Sequence, residues 1–117
     1  MTTHEVGLSH LRVTISDTFY VGPGRADLLE GIAETGSISA AARHLGMSYR
    51  RAWLLVDELN RALRKPAVVG AAGGKHGGGA TLTPLGKELV KRYRSIEHTS
   101  RLAAAADLEV LTRMLAP

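Results

Sequence analysis

"TGSISAAARHLGMSYRRAWLLVDELN", Thr35 to Asn60, decides how the chain is organised. It holds two helical patterns in succession, each opened by serine and separated by one glycine. The first, from Ser37 or Ser39 to Leu45, would bury Ala41, Ala42 and Leu45 and stop at Gly46, a residue that enters the left-handed conformation without a Cβ penalty. Ser48 is placed to cap the second, whose apolar residues Ala52, Leu55, Val56, Leu59 and Leu63 recur at helical spacing as far as Lys65. Pro66 ends it. Two helices joined by a three- to four-residue glycine turn form a helix-turn-helix, in which the first braces the second.

Upstream, residues 8 to 22 alternate at Leu11, Val13 and Ile15, pass through Ser16-Asp17, and continue with the β-prone run Phe19, Tyr20, Val21, which predicts a hairpin. Gly22-Pro23-Gly24 breaks that pattern. A helix from about Arg25 to Thr35 follows, with Leu28, Leu29, Ile32 and Ala33 on one side and Asp27, Glu30 and Glu34 on the other. Downstream, "AVVGAAGGKHGGGATLTPLG" places β-branched residues on both sides of a glycine cluster, as a second hairpin with Lys75 and His76 near its tip. Thr83 is the candidate cap of a helix that starts at Pro84 and runs to about Arg101 with Leu85, Leu89, Tyr93 and Ile96 in phase. The segment beyond it, rich in Ala and Leu, is helical by propensity and more apolar than a lone tail should be. The expected fold class is α+β, mostly helical: hairpin 8–22, three-helix core 25–65, hairpin wing 67–83 and C-terminal helical segment 84–115, in a single domain.

At 117 residues one core is the working limit. The chain has no cysteine, which excludes disulfides, thiolate metal sites and cysteine nucleophiles. Its start lacks the pattern of a signal peptide, and no apolar run approaches the roughly 20 residues of a bilayer span, so the expectation is a soluble, cytoplasmic protein with no membrane partner. The net charge of +4 is unevenly spread: residues 43 to 94 hold 11 Lys or Arg against three acids. Such a block concentrates polyanions around it, although a solvated helix surface would look the same.

Tyr49, Arg50 and Arg51, the first exposed positions after Ser48, would enter the major groove of DNA, where an arginine donates two parallel hydrogen bonds to guanine. Ser37 and Ser39, with the free amides at the start of their helix, would hold a phosphate. Lys75 and His76 would meet the DNA backbone or minor groove. Trp53, the only tryptophan, is expected at the edge of the core or in a dimer contact in preference to a base. Catalytic chemistry finds no support. Gly70 to Gly74 is one residue short of a phosphate loop and His76 stands where it needs Ser or Thr; His4, His10, His44, His76 and His98 contain no i, i+4 pair; no nucleophile elbow is present. Neither an enzyme, a metal site nor a cofactor is expected.

"ETGSISAAARHLGMSYRRAW", then "DELN", then "GGKHGGGATLTPLGKELVKRY" closely resembles the N-terminal DNA-binding domain of ModE-type molybdate-responsive regulators, a winged helix-turn-helix related to LysR-type regulators. The likeness covers roughly Gly22 to Tyr93. It implies that Ser48 to Arg51 begin the recognition helix, that Lys75 and His76 lie at the wing tip, and that the helix from Pro84 serves dimerisation on a palindromic duplex operator. Molybdate-binding β domains follow in full-length members, whereas no β pattern appears here after Thr83, so no oxyanion-binding domain and no molybdate binding are expected. Two other functions compete: a protein-interaction module that has lost DNA contact, and a small oxyanion-binding accessory protein.

Overall fold

A computed structural model describes residues 8–71 and 79–117. The order is β1 (Val13–Thr14), β2 (Tyr20–Val21), α1 (Pro23–Thr35), α2 (Ile38–His44), α3 (Tyr49–Ala62), β3 (Val68–Ala71), β4 (Gly79–Leu82) and α4 (Pro84–Arg113). Both strand pairs are antiparallel two-stranded ribbons; Val13 faces Val21 in the first, and Val68 faces Leu82 in the second. This is the architecture of a winged helix-turn-helix with a long C-terminal helix.

Leu28, Leu29, Ile32 and Leu59 are fully buried at the centre, with Ala41, Ala42 and Ala52 filling the approaches of α1, α2 and α3. Val68, Ala80 and Leu82 put the inner face of the wing on the same core. Local signals read in the sequence set the helix ends. Ser37 Oγ accepts from the Ala40 amide at 3.1 Å, Ser48 Oγ from the Arg51 amide at 3.1 Å, and Thr83 Oγ1 from the Gly86 amide at 3.1 Å. Gly36 and Gly46 take φ of 72° and 68°. After α2 the Gly46 amide returns to the Arg43 carbonyl and the Met47 amide to the Ala42 carbonyl, which closes the turn before α3. Within the wing the Ala80 amide donates to the Gly36 carbonyl at 2.9 Å, so β4 is pinned to the end of α1.

Several expectations are corrected. α1 begins at Pro23, two residues early, because proline suits a first helical position and Gly22 is the N-cap. α3 stops at Ala62, ahead of Lys65, where Leu63 turns extended. Leu45 is 38% exposed, not buried, since it lies at the frayed end of a seven-residue helix, and Ala33 is exposed as well. α4 is one continuous helix to Arg113, and its buried line is Gly86, Val90, Tyr93 and Glu97, turned about one residue from the expected one, leaving Ile96 exposed.

Polar ties fasten α4. Tyr93 donates its hydroxyl to the Leu11 carbonyl at 2.6 Å. Burial first, then the Glu97 carboxylate, push that phenol above its ordinary pKa, so it stays a neutral donor well past neutrality. Arg94 meets Asp27 at 2.6 Å, Glu97 at 2.8 Å, and also Glu30. The Glu30 bond contributes most to holding the guanidinium above its usual pKa, against the opposing effect of burial. With Arg61 on Asp57 and Arg92 on Glu88, three arginines of the basic middle are thus neutralised within the chain. Removing Arg94 would leave the buried Glu97 with Arg101, at 3.7 Å, as its remaining cationic partner among the described residues. Arg94→Ala is therefore expected to lower unfolding stability by about 2 kcal/mol, less than a fully buried pair because the site is part-solvated; urea denaturation measures it, and a change under 0.5 kcal/mol would deny Arg94 this role.

Candidate nucleic-acid interface

The start of α3 stands clear of the core. Ala52, Val56 and Leu59 point inward, so at 100° per residue Arg50 and Leu54 lie on the opposite, outermost line of the helix. Tyr49 and Trp53 fall on the flank toward the wing; Arg51 and Glu58 fall on the flank toward the N-terminal hairpin. Tyr49 is 56% and Trp53 47% exposed. The Arg50 and Arg51 side chains have no salt bridge among the described residues, whereas Asp57 and Arg61 neutralise each other at 3.0 Å further along the helix. Uncompensated positive charge thus gathers at the amino end of α3, where the helix dipole adds to it.

On the wing side, Ser39, Tyr49 and Trp53 line an open cleft of about 510 Å³ against Val69, Gly70 and Gly79 of the wing strands. Tyr49 and Trp53, four residues apart, form its aromatic wall. Ser48 Oγ accepts from the Arg51 amide to cap α3, and the residue is exposed. Ser37 is committed to capping α2 while Ser39 remains exposed, which decides between them as cap. Arg51 is separated from this group; it lines a different cleft beside the hairpin. Lys75 and His76 lie outside the described residues.

Reading along the sequence left four side chains out of this site. Trp53 belongs to the exposed wall, and its i, i+4 spacing from Tyr49 was the available signal. Arg12 and Arg25 converge near Arg51 only through the fold, which no local pattern reports. Asn60, set apart from the apolar face, fastens α3 to the wing: its Oδ1 accepts from the amides of Ala67 at 2.8 Å and Val68 at 3.1 Å, and its Nδ2 donates to the Val68 carbonyl at 3.0 Å. Among the described residues no group of His, Asp and Glu could hold a metal ion, and no helix is long and apolar enough to cross a membrane.

Comparison with known proteins agrees with this fold. Residues 25–87 match the family model of the bacterial regulatory helix-turn-helix proteins of the lysR family. The chain is 52% identical over 77 residues to the molybdenum-pterin-binding protein MopB of Rhodobacter capsulatus, covering 66% of this chain and 28% of that protein. It is 44% identical over 73 residues to the molybdenum transport protein ModE of Azotobacter vinelandii, covering 62% and 27%. Against the DNA-binding transcriptional dual regulator ModE of Escherichia coli (strain K12) it is 40% identical over 83 residues, covering 71% and 32%. The chain therefore spans about a third of the length of the curated relatives it matches, or less.

Proposed function

Since the chain belongs to the lysR family of bacterial regulatory helix-turn-helix proteins, we propose that it is a transcriptional regulator that binds duplex DNA as a homodimer on a palindromic operator. One observation carries the reading: the Ser48 to Arg51 end of α3 is exposed, and its two arginines have no salt-bridge partner among the described residues. In this reading Arg50 enters the major groove and donates two bonds to a guanine, worth roughly 1 to 3 kcal/mol of discrimination. Leu54, one turn on and 43% exposed, supplies an apolar contact for a thymine methyl. Tyr49 and Ser39 approach the flanking strand, and Lys75 and His76 are assigned to the backbone beside the wing.

The distal half of α4 supports the dimer. Beyond Glu97 the helix presents Ala104, Leu108 and Leu111 on one face, with Leu111 57% exposed. An isolated helix with an apolar face has little reason to stay formed unless another surface covers that face. A second copy would do so and would set two α3 helices about one DNA turn, roughly 34 to 36 Å, apart. The reading places the protein in the cytoplasm with the DNA and assigns it no catalytic step.

Selection of bound fragments from a random duplex pool tests both parts. An inverted repeat with half-sites one or two turns apart is expected, with affinity falling steeply as salt rises. A single unrepeated site would remove the dimer; no enrichment over the starting pool would remove the regulator.

A further inference from the structure

A cleft of about 220 Å³ opens between the N-terminal hairpin and the starts of α1 and α3. Three arginines line it: Arg12 from the hairpin, Arg25 from α1 and Arg51 from α3. His10 joins them, and the described lining includes no carboxylate. Guanidinium groups brought together in this way repel one another, and the chain compensates only in part. The Tyr20 ring holds two of them, with the Arg12 guanidinium carbon 3.5 Å and the Arg25 carbon 4.2 Å from its centroid. Glu58 accepts from Nη2 of Arg25 at 2.8 Å, and the Tyr20 carbonyl accepts from Nη1 at 3.3 Å. The Nε of Arg25 is left over. The residue is 8% exposed, and this N–H is the buried side-chain donor that lacks a partner among the described residues. Burying a donor on a charged group with nothing to receive its hydrogen is costly and uncommon. This unpaired N–H belongs to a residue that lines the open, positively charged cleft.

The backbone contributes to the same cleft. α1 opens with Gly22, Pro23 and Gly24, so no side chain caps its first turn. A Cβ built on Gly22 or Gly24 would meet nothing within 4 Å, and both glycines line the cleft. The positive end of a 13-residue helix is therefore left bare toward the three arginines.

We propose that this cleft is a phosphate-binding site, occupied by a backbone phosphate of the duplex beside the groove that α3 enters. The occupant rests on the DNA-binding reading; the chemistry, a tetrahedral oxyanion held by guanidinium forks and helix amides, does not. Arg51 belongs both to the cleft and to the first turn of α3, so a phosphate seated here would fix where that helix sits along the strand.

Amide spectra of the full chain titrated with inorganic phosphate, together with duplex affinities over a salt series, test the site in wild type, Arg12→Gln and Gly24→Asp. Phosphate should shift the Gly24 and Arg25 amides of wild type and leave both variants largely unmoved. Duplex affinity should fall about fivefold to tenfold in each variant, equally for all sequences, and the salt slope of Arg12→Gln should be shallower by about one. Gly24→Asp adds a side chain into open space and a carboxylate at a helix start, so its melting temperature should not drop, which separates lost binding from lost folding. Phosphate-induced shifts with unchanged duplex binding in the variants would keep the site and make a free oxyanion its occupant. The same shifts in a wild type that binds no duplex would keep the site and end the DNA-binding reading. Wild type and variants that bind duplex alike, with amides indifferent to phosphate, would overturn the proposal.

Discussion

Gly86→Ala should destabilise the domain by about 3 kcal/mol or more, although helix propensity alone would make the same change stabilising by nearly 1 kcal/mol. The sign is decided by space. Gly86 is buried in the first turn of α4, and a Cβ there would lie 2.3 Å from the carbonyl oxygen of Ala67 and 3.1 Å from its carbonyl carbon. That oxygen is backbone and cannot rotate away. It also accepts from the Thr83 amide at 2.9 Å, while Thr83 Oγ1 donates to the Pro66 carbonyl at 2.7 Å. Moving it would therefore disturb the junction at which α3, the wing and α4 meet. Urea unfolding reads the effect as a lower midpoint with an unchanged slope. Lys87→Ala, one residue on and exposed, should stay within 0.5 kcal/mol and serves as the control. A Gly86→Ala protein as stable as wild type would mean that α4 does not approach Ala67, just ahead of β3, this closely.

The second large effect concerns binding. The doubly reversed protein Arg50→Glu/Arg51→Glu should lose about a thousandfold in affinity for its selected duplex, roughly 4 kcal/mol. Two guanidinium donors disappear, each worth about 1 to 3 kcal/mol where it meets a base or phosphate, and two carboxylates then face the phosphates. The fold should be untouched. Neither arginine has a salt-bridge partner among the described residues to leave behind, and acidic residues suit the first turn of a helix. Mobility-shift titration together with thermal melting separates the two readouts. Lost affinity with an unchanged melting temperature is the expected pair. Retained affinity would shift the balance to a protein-interaction module, for which this end of α3 is irrelevant.

Much of this architecture was legible because its signals are local. Ser48, Gly46, Ser37 and Thr83 each act on amides or carbonyls a few residues away, and α2, α3 and the start of α4 fall where these residues put them. The start of α1 was misread for a physical reason: Gly-Pro-Gly signals a break, yet glycine at an N-cap and proline at the first helical position are both compatible with a helix. What depends on long-range pairing was hidden. Arg94 counted toward a basic block, but the fold brings Asp27 and Glu30 to it from more than 60 positions away. Arg12, Arg25 and Arg51 are separated in sequence and adjacent in space for the same reason. Periodicity also fixed the face of α4 only to within one position, because Leu85, Leu89 and Ile96 border the buried line while Gly86, lacking a side chain, lies on it.

The hydrogen bond from Ala80 to Gly36 joins strand β4 of the wing to the very residue at which α1 gives way to α2. A load applied to β4 therefore has a direct backbone path into the helical body. If the chain binds duplex DNA as proposed, a wing tied in this way would leave part of the adjustment of fit to the double helix, whose stiffness depends on its sequence. Base pairs that no side chain touches would in this way influence which sites are chosen.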